Sequence, residues 1–197
     1  FYGLVSDGFY KLTDFDYNTA TGQYKLKAGV PDASAVIGGP SQPGSPKFKD
    51  LNNDGVIDLN KDRTIIGNPS PKFTGGLNQQ FSYKQWDMSV FVNFSVGNDV
   101  YNANKFEFTN GYTKNANLLS IMKNHWKIVN ESGQTTQWVL VNSATQVSEV
   151  FGLPPAQLAA LNANANIWTP LKANGAFYPS SWAIEDSSFL RINNITL

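Results

Sequence analysis

Residues 73–97 constrain the fold of this chain most. Two alternating runs, Phe73 to Tyr83 and Trp86 to Val96, are separated only by Lys84 and Gln85. Successive side chains of a strand point to opposite faces, so residues two apart share a face. In the second run Trp86, Met88, Val90, Val92, Phe94 and Val96 therefore share one side, while Asp87, Ser89, Asn93 and Ser95 share the other with Phe91. Two such runs around a tight turn predict a β-hairpin. Each has roughly the ten residues that a tilted strand needs to cross a bilayer. Tyr83 and Trp86 flank the turn, where an aromatic girdle would meet a membrane interface. A sandwich hairpin alternates in the same way, so periodicity alone leaves both architectures open.

Composition narrows the partners. Lys plus Arg number 15 and Asp plus Glu 15, and the only arginines are Arg63 and Arg191. Phosphate backbones are bound by a surplus of basic side chains on one face, so nucleic acid is not an expected partner. Cysteine is absent, which removes disulfides and thiol chemistry from consideration. Charged residues make up 15% and aromatic residues 13%, the balance being filled by uncharged polar side chains. That mixture suits a transmembrane β-barrel and also a sugar-binding β module. No run approaches the roughly 18 apolar residues of a membrane helix. The chain opens at Phe1 and stops inside a strand-like run at Leu197, and the expectation is a fragment of a longer polypeptide.

Four segments follow along the chain. Residues 1–72 hold short strands around a polar turn at Asn18 to Gly22, a Pro- and Gly-rich connection over 28–46, and a strand from Arg63 closed by a Pro-rich turn. Residues 73–97 are the hairpin. Residues 98–185 show no strong period. Within them, helical spacing of Leu118, Leu119, Met122 and Trp126 predicts a helix over Asn115 to Trp126, and Pro155 to Leu161 predicts another with Pro at its start. Residues 186–197 resume as strand. One tight turn on one side and long excursions on the other is the asymmetry of an outer-membrane barrel. That threading puts residues 50–62 and 98–185 outside the cell.

Asp50-Leu-Asn-Asn-Asp-Gly-Val-Ile-Asp58 has the spacing of a calcium loop. Such loops take ligands from positions 1, 3, 5, 7 (a backbone carbonyl) and 9, with Gly at 6 for the sharp turn. Counted from Asp50, the candidates are Asp50, Asn52, Asp54, the Val56 carbonyl and Asp58, with Ile57 as the apolar anchor. The twelfth position, normally a bidentate Glu, is Lys61, so Asp62 is the expected closing carboxylate. The flanks do not read as paired helices, and a structural Ca2+ is expected rather than a sensor. The bland alternative is an Asx-rich turn that satisfies its own backbone.

Nothing else reads as catalytic. His125 is the only histidine, with no acidic residue beside it in sequence, so a triad or imidazole metal site has no second member. Glu185-Asp186 is more readily a solvated turn than a glycosidase pair. Asn93-Phe-Ser95, Asn130-Glu-Ser132 and Asn194-Ile-Thr196 match the glycosylation pattern, but two lie in predicted strands. Trp126, Trp138, Trp168 and Trp182 would stack on a ligand if exposed and form a loop core if buried.

Several stretches together resemble a family. They are Phe48-Lys-Asp-Leu-Asn-Asn-Asp-Gly-Val-Ile-Asp58, Asp62-Arg-Thr-Ile-Ile-Gly-Asn-Pro-Ser-Pro-Lys-Phe73 and Phe81-Ser-Tyr-Lys-Gln-Trp-Asp-Met-Ser-Val-Phe91, then Gly97-Asn-Asp-Val-Tyr-Asn102 and Ile184-Glu-Asp-Ser-Ser-Phe-Leu-Arg-Ile-Asn-Asn-Ile-Thr-Leu197. In this order they resemble the C-terminal part of SusC/RagA-type TonB-linked (TonB-dependent) outer-membrane transporters. The resemblance runs from about Phe9 to Leu197 and thins over 103–183. It implies an all-β fold, part of a 22-stranded outer-membrane barrel plugged by an N-terminal domain. It further implies import of oligosaccharides or peptides, energy from the TonB complex through an N-terminal part, and a SusD-like surface lipoprotein over the mouth.

The expectation is thus a non-enzymatic segment of an outer-membrane nutrient transporter, in contact with lipid. Ser89, Asn93 and Ser95 would offer hydrogen bonds to a polar solute in the lumen. The rival is a secreted, calcium-stabilised carbohydrate-binding β-sandwich. It requires a second sheet over Val90, Val92 and Phe94, for which only residues 4–15 and 189–197 could serve.

Overall fold

The computed structural model describes residues 1–110, 117–141, 147–170 and 179–197. Thirteen strands are named here in chain order. The first six are β1 (Tyr2–Leu4), β2 (Ser6–Phe9), β3 (Phe15–Asn18), β4 (Gln23–Leu26), β5 (Pro46–Phe48) and β6 (Arg63–Ile65). Next come β7 (Phe73–Tyr83), β8 (Trp86–Val96) and β9 (Asp99–Tyr101), then β10 (Gln137–Val141), β11 (Ser148–Gly152), β12 (Ile184–Asp186) and β13 (Phe189–Thr196). The helices are α1 (Ser34–Ile37), α2 (Ala103–Asn110) and α3 (Pro155–Leu161). Among the described residues, no helix is long and apolar enough to cross a membrane.

The expected hairpin forms with its expected bounds. β7 and β8 each run 11 residues and pair antiparallel from Tyr83↔Trp86 to Phe73↔Val96. Lys84 adopts a left-handed φ of 57° in the turn. β13 pairs along the other edge of β8, giving the order β13-β8-β7. Leu190 lies opposite Phe94 and Ile192 opposite Val92, so both join the apolar face of β8. The register then shifts, and Asn194 meets Phe91 while Ile195 meets Val90. This bulge explains an irregular sequence. Ile192 and Ile195 are three apart and would otherwise face opposite ways; one extra residue returns Ile195 to the apolar side.

That side has no cover. Leu77, Phe81, Leu190, Ile192 and Ile195 are each more than half exposed. Among the described residues no second sheet lies over Val90, Val92 and Phe94, so the arrangement that a sandwich needs is not formed there. The opposite side carries Thr74, Asn78, Gln80 and Ser82 from β7, with Asp87, Ser89, Phe91, Asn93 and Ser95 from β8. Gly75 is required by the apolar packing: a Cβ there would lie 2.5 Å from the Phe94 ring.

The remaining elements build a separate packed body at one end of this wall. β10-β11-β4-β3 form one sheet, and β1-β6, β2-β5 and β12-β9 form three small pairs. The Asn18 side chain caps the β3–β4 turn by accepting the Ala20 amide at 3.0 Å. Leu4, Tyr10, Phe15, Tyr24, Ile57, Val150 and Leu158 are buried in one core drawn from both halves of the sequence. Met122, Ile167 and Trp168 form a second core, with Phe9, Leu118 and Trp182 against it.

Helix α3 forms over the predicted residues with Pro155 in its first turn. The other predicted helix does not span its range. Ser120–Asn124 make a 3-10 turn, after which His125 is extended and bridges to Ile167; Asn115 lies outside the described residues. Met122 and Trp126 are buried nonetheless, so the apolar spacing reports packing rather than a continuous helix.

Replacing Gly75 by Val should force Phe94 from its place. Overpacking of this kind costs about 1–3 kcal/mol, read as a lower denaturant midpoint in the intact protein. Combining it with Phe94→Ala should restore part of the loss. An unchanged midpoint for Gly75→Val would contradict the packing described.

Candidate functional site: the Asp50–Asp62 loop and the rim

The acidic loop is built around backbone amides. Asp50 accepts the Asn53 amide at 2.7 Å on one oxygen and the Gly55 amide at 2.8 Å on the other. Asn52 accepts from the Asp54 amide at 3.1 Å, and Asp54 from the Val56 amide at 3.1 Å. The chain can turn this sharply because Asn53 and Gly55 take positive φ, 59° and 83°; both residue types tolerate that region. The expected anchor, Ile57, is fully buried in the core. Its amide donates to Asp32 while the Asp32 amide donates to Gly55, which welds the loop to the body.

Asp62, the expected closing ligand, is itself fully buried. One of its oxygens accepts the Leu51 amide at 2.8 Å and the other the Asp58 amide at 2.7 Å. It joins the two ends of the loop through the backbone. The remaining negative charge meets a lysine. Lys61 Nζ lies 2.7 Å from Asp54 Oδ2 and 3.8 Å from Asp58 Oδ2. The hydrogen bond from Lys61, aided by Asn52 and the Val56 amide, holds the Asp54 carboxyl down at about 2, and the same contact raises the Lys61 ammonium. Among the described residues, no three acidic or histidine side chains gather as a metal cluster.

A second set of polar contacts fastens the wall to the body. Asn68 and Asp99 exchange two hydrogen bonds at 2.7 Å, amide to carboxylate and amide to carbonyl. The Gly97 amide donates to Ser188 Oγ, and the Ser187 amide to the Asn98 carbonyl. Ser95 belongs to this rim. Its hydroxyl donates to Asn98 Oδ1 at 2.9 Å and it is buried, so it is not the free solute-facing group expected from alternation. Ser89 and Asn93 remain on the polar face.

The other candidates resolve as structure. Glu185 accepts from Asn102 and pairs with Lys105 at 3.2 Å, which lowers its carboxyl's pKa, with the Asn102 bond the larger cause. Asp186 accepts from Ser188. His125 Nδ1 sits 2.7 Å from the Met122 carbonyl, within its own turn. Trp168 and Trp182 both donate to Thr109, one to its carbonyl and one to its hydroxyl. Trp126 is buried, whereas Trp138 is 41% exposed and stacks on Phe151.

No family model matches the chain. Individual proteins do. Over 130 residues, 66% of the chain, it is 35% identical to TonB-dependent receptor P3 of Formosa agariphila. Over 106 residues it is 34% identical to TonB-dependent receptor P39 of the same organism, and over 77 residues 35% identical to receptor P26. The chain is similar to a segment of TonB-dependent receptors. It matches only 11%, 10% and 8% of the lengths of these relatives. TonB-dependent receptors are outer-membrane proteins, and the uncovered apolar face of β7, β8 and β13 is a surface that suits such a location.

Asp62→Asn in the intact receptor places an amide group where two backbone donors converge. Leaving a buried donor unsatisfied costs about 1–3 kcal/mol, so hydrogen exchange at the Leu51 and Asp58 amides should accelerate by about tenfold or more. Unchanged exchange would show that Asp62 does not hold the loop.

Proposed function

We propose that the receptor is an importer of the SusC/RagA type, and that this chain supplies part of its barrel wall and of its outer cap. The observation that carries the reading is the three-stranded wall. One side is apolar and uncovered, the other is amides and hydroxyls, and the connections differ sharply in length at its two ends. The free edges of β7 and β13 call for further strands, since open edges are not tolerated in hydrocarbon. A closed barrel of 22 strands would provide them. In this reading the Lys84–Gln85 turn faces the periplasm and the packed body stands outside the cell.

Oligosaccharides or peptides are the proposed cargo, with TonB as the energy source and a SusD-like lipoprotein as the surface partner. Uncharged groups such as Asn78, Gln80, Ser89 and Asn93 suit a polar, uncharged solute. Calcium is proposed as a structural ion of the Asp50–Asp62 loop. The reading rests on the spacing of hard oxygen donors along the loop, since the folded loop gathers no three acidic side chains around one point among the described residues. Asp50, Asn52, Asp54, Asp58 and the Val56 carbonyl would hold the ion, with Asp62 securing the loop behind them. Bound there, the ion would neutralise carboxylates that repel one another.

The test uses the source cells. An antibody against residues 98–185 should detect, in outer-membrane fractions, a band several times heavier than 21.7 kDa that shifts on boiling. Deleting the receptor should abolish growth on particular oligosaccharides or peptides, and a lipoprotein should co-purify with it. Normal growth on every such nutrient would contradict the importer reading.

A further inference from the structure

The four-stranded sheet of the outer body is incompletely zipped. β4 and β11 pair only at Tyr24↔Val150 and Gln23↔Phe151, although β4 continues to Leu26 and β11 begins at Ser148. An open cleft of about 650 Å³ lies there, bordered by Gln23, Lys25, Ser148 and Glu149 with Asp32 and Ser41. We infer that this cleft, with the neighbouring ring of Trp138, binds a neutral oligosaccharide on the outer body, apart from the polar face of the wall. The inference rests on the importer reading, which puts this body outside the cell.

Size, charge and face pattern support it. The volume lies within the roughly 300–1,000 Å³ of small-molecule sites. Lys25 is set against Asp32 and Glu149 around the cleft, so there is no surplus of positive charge for an anion. The border mixes donors and acceptors, as an uncharged ligand rich in hydroxyls requires. Asp32 accepts the hydroxyls of Ser34 at 2.9 Å and Ser41 at 2.7 Å, and Glu149 accepts the Gln23 amide at 3.1 Å. These groups are held in place by the chain itself, which lowers the ordering cost of binding. An apolar ligand would strip them of water without replacing its hydrogen bonds. An extended peptide would add to a free sheet edge, and those edges are β3 and β10 rather than the cleft.

The aromatic partner follows from strand alternation. Tyr24 and Val150 turn inward to the core, so Gln23, Glu149 and Phe151 turn outward. Trp138 lies opposite Phe151, and Phe151 opposite Gln23, in one row that leads to the cleft. The rings of Trp138 and Phe151 are 6.3 Å apart and within 12° of parallel. An exposed indole beside hydrogen-bonding groups can cover the apolar C–H face of a pyranose ring while the amide and carboxylate take its hydroxyls.

The experiment uses the intact receptor in detergent, with hexasaccharides of glucose, mannose and xylose and a Gly/Ser hexapeptide as probes. Hydrogen exchange is followed at residues 23–26 and 148–151, and its dependence on probe concentration gives the affinity of this site alone. At least one hexasaccharide, at about ten times its Kd, should slow exchange there about tenfold. Trp138→Ala should weaken its binding about tenfold, and Trp138→Phe, which keeps an aromatic face, should restore most of the affinity. Glu149→Ala should also weaken it about tenfold. Protection of the wall strands with none at these residues overturns the inference and leaves the importer reading standing. So does protection of the cleft by the hexapeptide alone, or an affinity that Trp138→Ala leaves unchanged. Binding of no hexasaccharide overturns it as well, whereas the importer reading falls only if a receptor deletion leaves growth normal on every oligosaccharide and peptide.

Discussion

A strand must satisfy its backbone amides and carbonyls through its neighbours wherever water is excluded, as the proposed barrel wall requires, and the rest of this structure depends on how β8 does so. It pairs with β7 on one edge along all 11 residues and with β13 on the other. With both edges closed, its side chains are free to sort by face, apolar groups to one side and amides and hydroxyls to the other. The bulge in β13 keeps that sorting intact where the sequence breaks period. Phe94 over Gly75 adds cross-strand packing to the side that must remain dry.

The wall is coupled to the outer body by hydrogen bonds rather than by a shared apolar core. Asn68, Asp99, Asn98, Ser187 and Ser188 join the upper ends of β7, β8 and β13 to β9 and β12. The two cores lie beyond this rim. Leu4, Tyr24 and Val150 come together from sequence positions far apart, since β4 pairs with both β3 and β11. The Asp50–Asp62 loop hangs from the same core by Ile57, so any ion bound there would act on the body and not directly on the wall. The Ser95–Asn98 bond shows how polar groups near the top of the wall serve the joint instead of the lumen.

Legibility in the sequence followed the range of the interactions. The hairpin was readable because its pairing is local and its faces repeat every two residues. Helix α3 was readable from its proline. The bulge at β13 was not, because a single extra Asn in Asn193-Asn194 carries no mark of its partner strand. β10 and β11 were missed because they are five residues long and owe their place partly to β4, more than a hundred positions away. In the acidic loop, spacing identified Asp50, Asn52, Asp54 and Asp58 as one group. It could not show that Asp62 would be buried against the Leu51 and Asp58 amides. Lys61 read as a missing ligand, and only the folded loop shows its ammonium between two carboxylates. The loop tryptophans followed the commoner fate of aromatic side chains, with Trp138 the exception that remains outward.

The central claim is that one face of β8 meets lipid and the other does not. The described chain has no cysteine, so single cysteines can be placed in turn at positions 88 to 95 of the receptor in a cysteine-free background. Each would carry a fluorophore in bilayers containing lipid-borne quencher. The account expects strong quenching at Met88, Val90, Val92 and Phe94 and weak quenching at Ser89, Phe91, Asn93 and Ser95. Equal quenching at both sets, or none at either, would contradict a lipid-facing wall.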